Sequence, residues 1–516
     1  MDRRHFTSSL LAAATTGCAL PGRTPTADPL RWDPRRYTPQ QVAVGDQVLQ
    51  VRAYEGLPVV ARPLEPDYQA LNLYVPEPYF QGGRVGAFSA RTAPIFLPNG
   101  VGGYMPAKPG SWVPRSGPAG ARPAAASAPA GTAAPMANPA TPSAAAQALL
   151  RGYVVAAPGA RGRTLRAADG RWTGKAPAAI VDLKAAVRWL RHNADQLPGQ
   201  VERIVSNGTS AGGALSALLG ASGNHPGYDA ELQALGAAPG RDDVFAVSAF
   251  CPITNLAHAD ESYEWQFHGH RSYRQVATSM LDFRAQRQEV LMQLDDAQWA
   301  QSDTLRSAFV AYVNGLGLHT PEGQPLTLLA DGSGPLRDHT VALLQAAAQA
   351  ALDAGQPLGQ TPALTVRDGR VLALDFAAQV QAMGRMKGLP AFDGWSLETG
   401  ENQLFGQAGV DKRHFTPFSL QHSRVPGATL AEPEVVRLMD AMAQLGDARS
   451  RVAPFWRIRH GSQDRDTALA VPVLLAAAAR RRQARVDLAL PWGRPHSGDY
   501  ELDALFAWVE QALASG

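Results

Sequence analysis

The chain has 516 residues, a formal net charge of +3, 45% hydrophobic and 18% charged side chains. That balance suits a globular protein with an ample core, and no Lys/Arg run interleaved with aromatics offers nucleic acid a surface. No apolar run reaches the roughly 18 residues that a membrane-spanning helix requires.

In chain order, residues 1–28 read as an export leader. "MDRRHFTSSLLAAATTGCAL" carries Arg3 and Arg4, then Phe6 and a short apolar run, the pattern of a twin-arginine signal. "TTGC" before Cys18 resembles a lipoprotein cleavage site, with Thr15 where leucine is usual. The expectation is an exported protein: periplasmic, tethered to the membrane through a lipidated Cys18, or secreted. The second cysteine, Cys251, sits in the apolar stretch "FAVSAFCPITNL" and is expected to be a buried, inert thiol. The mature body would then contain no disulfide.

Residues 29–260 read as the first part of an α/β core. "QVLQVRAYE", "QALNLYVPEPYF" and "RTAPIFLPNGVGGY" are β-prone, the last ending in a glycine-rich loop at Asn99–Gly103. Residues 107–147 are rich in Ala, Pro, Ser and Gly and are expected to form a mobile low-complexity insertion. "GYVVAAPGARGR" is a strand, and "AAIVDLKAAVRWLRHNADQL" has apolar residues at helical spacing. "ERIVSNGTSAGGALSALLGASG" reads as strand, turn and helix, and "VFAVSAFCPITNL" as another strand. Such alternation predicts a mostly parallel sheet covered by helices on both faces. The pattern breaks at residues 261–450, a large and mainly helical lid expected after the sixth strand. It resumes over residues 451–516 with "FWRIRHGSQDRD", "TALAVPVLLAAAARRRQ", "ARVDLALPWG" and "ELDALFAWVEQAL".

The chemistry centres on Gly208-Thr209-Ser210-Ala211-Gly212, a G-x-S-x-G between a predicted strand and a predicted helix. A turn of this kind lifts the Ser210 hydroxyl above the carboxyl edge of the sheet, and a serine there requires a base to become a nucleophile. In an α/β-hydrolase the acid and the histidine follow in that order on loops after late strands. "HGSQDRD" supplies Asp464, with Asp466 as its rival, and "PWGRPHSGDY" supplies His496. Ser210 is the expected nucleophile, His496 the general base and acid, and Asp464 the carboxylate that orients the imidazole. Ala211 N–H is the first expected oxyanion donor, with Gly100 or Val101 as the second. No metal or cofactor is called for: "HGH" at 268–270 has no accompanying ligand cluster.

Together, "SNGTSAGGALSALLGASGNHPGYDAELQALGA", "FAVSAFCPITNLAHADESYEWQF", "HGSQDRDTALA" and "HSGDY" resemble bacterial tannases, α/β-hydrolases that cleave galloyl esters. The resemblance runs from about residue 40 through most of the chain. It implies that "RMKGLPAFDGWSLETGENQLFG" and the acid loop contribute Lys387, Glu401 and Asp466 to hold the galloyl ring, with Glu398 a rival for Glu401. The implied partner is a small polyphenol ester. A feruloyl- or chlorogenate-type esterase, a prolyl-oligopeptidase-type peptidase and a non-catalytic binding protein are the competing readings.

Overall fold

The structure, a computed structural model, describes residues 28–113, 143–281, 284–359 and 361–516. Arg3, Arg4, Phe6 and Cys18 of the leader lie outside these residues, as does 114–142 of the low-complexity stretch.

The sheet strands are β1 (Thr38–Val44), β2 (Gln47–Pro58), β3 (Ala70–Pro76), β4 (Pro94–Pro98), β5 (Val154–Pro158), β6 (Gln200–Thr209), β7 (Ala246–Phe250), β8 (Phe455–Arg459) and β9 (Arg485–Ala489). They lie in the order β1-β2-β3-β5-β4-β6-β7-β8-β9. From β5 to β9 all pairings are parallel, whereas β1, β2 and β3 form an antiparallel margin joined to β5.

Alternate residues along each central strand serve opposite faces, as a two-residue period demands. Ile95, Leu97, Ile204, Val247, Ala249, Trp456 and Ile458 pack with the helices Ala178–His192, Ala211–Ala221 and Ala470–Arg481. Phe96, Val205, Ala246 and Phe455 pack on the other side with Ala144–Leu150 and Leu502–Ser515. The chain is therefore an α/β-hydrolase sandwich of helix, sheet and helix.

Two features depart from the sequence reading. The low-complexity stretch does not begin and end as loosely as its composition suggests. Ala107 exchanges backbone hydrogen bonds with Ala160, and Gly110 N–H donates to Ala157 O. At the far end Ser143 caps the helix Ala144–Leu150, whose alanines are small enough to bury against the sheet. Ser143 Oγ also donates to Trp112 O at 2.7 Å, so the two flanks meet. The insertion after Phe250, beyond the sixth strand if the edge strand β1 is left uncounted, is helical but also carries two antiparallel hairpins. These pair Ser272–Leu281 with Arg284–Gln293 and Leu364–Arg367 with Arg370–Leu374. Their polar alternation gives little hydrophobic period to read.

Candidate active site

Parallel register brings the candidate residues to one rim. Thr209 of β6, Phe250 of β7, Arg459 of β8 and Ala489 of β9 stand level across the sheet. The loops that follow carry Ser210, Cys251, Asp464 and His496, so four segments distant in sequence leave from a single edge.

Ser210 occupies φ 62°, ψ −123°, a region that costs an ordinary residue about 1–3 kcal/mol. Its surroundings enforce the conformation. Ser210 N–H donates to Phe250 O at 3.0 Å, and Ser210 O accepts from Ile253 N–H at 3.3 Å and from Ala214 N–H at 2.9 Å. The flanking glycines are needed for close approach: a methyl on Gly212 would lie 2.7 Å from Asn99 Oδ1 and 2.8 Å from Val101 O. One on Gly208 would lie 2.6 Å from Asn99 Nδ2. The helix Ala211–Ala221 starts at the serine, so its N-terminal dipole faces the position where negative charge would form.

The acid and histidine loops are laced together. Ser462 N–H donates to Pro491 O at 3.0 Å, Gln463 N–H to Arg494 O at 2.9 Å, and Gly493 N–H to Ser462 Oγ at 2.8 Å. A side chain at Gly461 would overlap the Arg494 carbonyl. Within this frame Asp464 Oδ2 lies 2.8 Å from His496 Nδ1, while Asp464 Oδ1 accepts Asp466 N–H at 2.9 Å. Asp466 Oδ2 is farther from the ring, at 3.7 Å, so the nearer partner is Asp464. His496 Nε2 is buried and has no hydrogen-bond partner among the described residues. Ser210 Oγ makes no hydrogen bond to it there either. The histidine loop nevertheless sits on the elbow: Cys251 Sγ donates to Ser497 O at 3.3 Å, and a side chain at Gly498 would overlap Thr209.

Burial alone would push the His496 imidazole down, but the carboxylates of Asp464 and Asp466 outweigh it and hold its pKa well above 6.5. Asp464 is the reciprocal case. Burial raises its pKa, while His496 and His460 lower it further, leaving a carboxylate ionised far below its usual range. Cys251 is buried and free, and burial pushes its thiol up to about 11. The thiol is therefore uncharged at neutral pH, as an inert group should be.

Asn99 escaped the sequence reading. Its Nδ2 donates to Asn207 O at 3.2 Å, Gly212 O at 3.0 Å and Ser216 Oγ at 3.0 Å, which clamps the glycine-rich loop onto the elbow. Val101 N–H lies 3.4 Å from Asn99 Oδ1 and so turns toward its own loop. Tyr104 closes the loop by donating to Ile253 O at 3.0 Å. The signal available in sequence was an asparagine directly before the glycines.

The lid residues approach the same rim by two routes. Lys387 stacks its ammonium 3.8 Å from the Phe392 ring centroid, and its backbone N–H reaches Tyr263, which also bonds the acid loop at Arg465 O. Glu401 lies on the helix Gly400–Leu404, close enough to Tyr104 for its charge to act on the phenol. That helix is bound to the core through Arg163 and Lys175. Arg163 Nε donates to Gly103 O at 2.9 Å while its Nη1 bonds Gln403. Lys175 Nζ donates to Arg163 O, Gln403 O, Asp411 O and Asp411 Oδ1 at 2.7–2.9 Å. Glu398, by contrast, is exposed and accepts Ser396 N–H of its own turn. His268 of "HGH" bonds Ser302 Oγ at 3.0 Å, a structural contact.

Comparisons with known proteins agree with this layout. The family profile BD-FAE matches residues 136–304. Esterase LipC of Mycobacterium tuberculosis is 47% identical over 62 residues, 12% of this chain and 14% of LipC. The crystal structure of tannase from Lactobacillus plantarum is 40% identical with a TM-score of 0.86, over 94% of this chain and 100% of that one. A tannin acyl hydrolase in complex with ethyl gallate is 41% identical with a TM-score of 0.83, over 93% of this chain and 98% of that one. Identity of that order over nearly the whole length, with a TM-score of 0.86, makes the chain a member of the tannase family, among the carboxylic ester hydrolases of the α/β-hydrolase fold.

Proposed function

We propose that the protein hydrolyses galloyl esters through a galloyl-enzyme. Ser210 Oγ attacks the ester carbonyl as His496 Nε2 takes its proton, and Asp464 stabilises the imidazolium that results. Ala211 N–H and Gly100 N–H receive the oxyanion; Gly100 is preferred over Val101 because the Val101 N–H turns toward Asn99 Oδ1. His496 then protonates the departing alcohol, and water repeats the sequence to release gallate. Lys387 donates to the ring hydroxyls, while Glu401 and Asp466 accept from them. An acyl group without those hydroxyls would leave the charges unmatched, which is the basis for rejecting it. The leader supports export, with Cys18 as the point of lipid attachment, a location where plant polyphenols are met.

The observation that carries this reading is the 2.8 Å Asp464–His496 contact on the rim that also bears the strained Ser210. Methyl gallate should yield gallate and methanol with the wild type. Ser210→Ala should lose at least about 10⁴-fold in kcat and all labelling by a fluorophosphonate. Faster turnover of methyl ferulate than of methyl gallate would overturn the galloyl assignment in favour of a feruloyl-type esterase.

A further inference from the structure

We propose that Tyr263 is a positioning residue, whose one hydroxyl fixes the ring-binding segment of the lid against the loop that carries the catalytic acid. The inference deepens the galloyl-esterase reading and rests on it.

Tyr263 lies on the helix Ala259–Phe267, the first α-helix after the sheet gives way to the lid, and is fully buried. Its ring is held independently of its hydroxyl, with centroids 4.6 Å from Phe267 and 6.2 Å from Phe392. The hydroxyl donates to Arg465 O at 3.0 Å and accepts Met386 N–H at 3.2 Å and Lys387 N–H at 3.1 Å. One donor and two acceptor positions are thereby all used. Arg465 stands between Asp464 and Asp466, and Lys387 is the lid lysine, so groups about eighty residues apart are set in register through a single oxygen.

Neighbours on the same helix give this contact its direction. Asp260 accepts Phe392 N–H at 2.7 Å and Asp393 N–H at 3.1 Å, which places the ring over which Lys387 lies. Glu264 is ion-paired with the buried Arg385, whose Nε donates to Lys387 O at 2.8 Å. Gln266 Oε1 accepts Leu469 N–H at 2.7 Å, beyond the acid loop. Lys387 is thus gripped at both backbone groups, its N–H by Tyr263 and its C=O by Arg385. Only the Tyr263 bond also reaches the acid loop. A buried hydroxyl bonded on three sides defines a geometry more narrowly than ring packing does.

The test is a double-mutant cycle with Tyr263→Phe and Lys387→Ala, read with methyl gallate, methyl benzoate and a fluorophosphonate. Tyr263→Phe should lower kcat/KM for methyl gallate by about ten- to a hundredfold, mainly through KM, because the lost precision is in the binding segment. Ser210 labelling should stay within about threefold of wild type, and the double variant should be little worse than Lys387→Ala alone. Equal losses in labelling and gallate turnover, additive losses in the cycle, or gallate turnover within threefold of wild type would each overturn the proposal. The wild type reports separately on the parent reading. If it does not prefer methyl gallate to methyl benzoate, the galloyl assignment fails, and the cycle is run with the better ester. Amide hydrogen exchange at Met386 and Lys387 in the wild type gives a readout free of any folding defect; rapid exchange at both would also overturn it.

Discussion

Replacing Gly212 by alanine separates the oxyanion pocket from the rest of the site. The added methyl would lie 2.7 Å from Asn99 Oδ1 and 2.8 Å from Val101 O. Relaxing both to an ordinary contact of about 3.4 Å moves the Asn99–Val101 loop by about 0.6–0.7 Å. Alanine gains about 1 kcal/mol in helix propensity, against about 1–3 kcal/mol for the overlap, so stability should fall by no more than about 2 kcal/mol. Activity should suffer more. In the proposed mechanism the same loop presents Gly100 N–H to the oxyanion, and removing one such donor costs about 10²–10³ in kcat. A shift of 0.6 Å stretches a good hydrogen bond to about 3.5 Å, so kcat for methyl gallate should fall by about 10²-fold with little change in KM. Asp464 and His496 are untouched, so the pH profile should keep its shape. Steady-state kinetics and a thermal melt on the same preparation decide the matter. A kcat within threefold of wild type in a stably folded Gly212→Ala protein would show that the loop does not hold the oxyanion.

Two further expectations concern charge. Because the Asp464 and Asp466 carboxylates overcome burial and raise His496, the imidazole is protonated, and so unable to act as the proposed base, below a pKa that lies above 6.5. The acid limb of kcat/KM should therefore fall above pH 6.5 and move to lower pH in Asp464→Asn, where of the two carboxylates only Asp466 still opposes burial; a wild-type limb at or below 6.5 would contradict this. Lys175 is held down to about 8 by burial. The unfolded chain binds that proton more readily between about pH 8 and the ordinary 10.5, so this group makes stability rise with pH across that window. Lys175→Met should abolish that rise, leave three carbonyls and a carboxylate without their donor, and cost about 2–4 kcal/mol in chemical denaturation. An unchanged slope of Tm between pH 8 and 10 would argue against the assignment.

What the sequence disclosed depended on whether a signal was local. Gly208–Gly212 announces its own turn, and "HGSQDRD" and "PWGRPHSGDY" follow strands, so chain order alone brings Asp464 and His496 to the rim where they lie 2.8 Å apart. Tyr263 and Asn99 gave no such notice. Tyr263 bonds residues 386, 387 and 465, and Asn99 bonds 207, 212 and 216, contacts that exist only after long loops have closed. Composition misled at Ala144–Leu150, where alanines that look like filler form a buried helix face. It was also silent on the hairpins of the lid, whose strands pair with each other while Leu364, Val371 and Leu374 of the second pack on the core. Periodicity records what a residue buries, not whom it meets across the fold.

The bond between Ser143 Oγ and Trp112 O gives the protein a clasp. Because it joins the flanks of residues 114–142, the intervening chain leaves and returns at a single point. For any flexible insert between ends held this close, the closure entropy grows only with the logarithm of its length, about 0.6 kcal/mol for each doubling. Such a place in a fold lets evolution, or an engineer, lengthen, trim or exchange a passenger sequence beside a working catalyst without renegotiating the architecture.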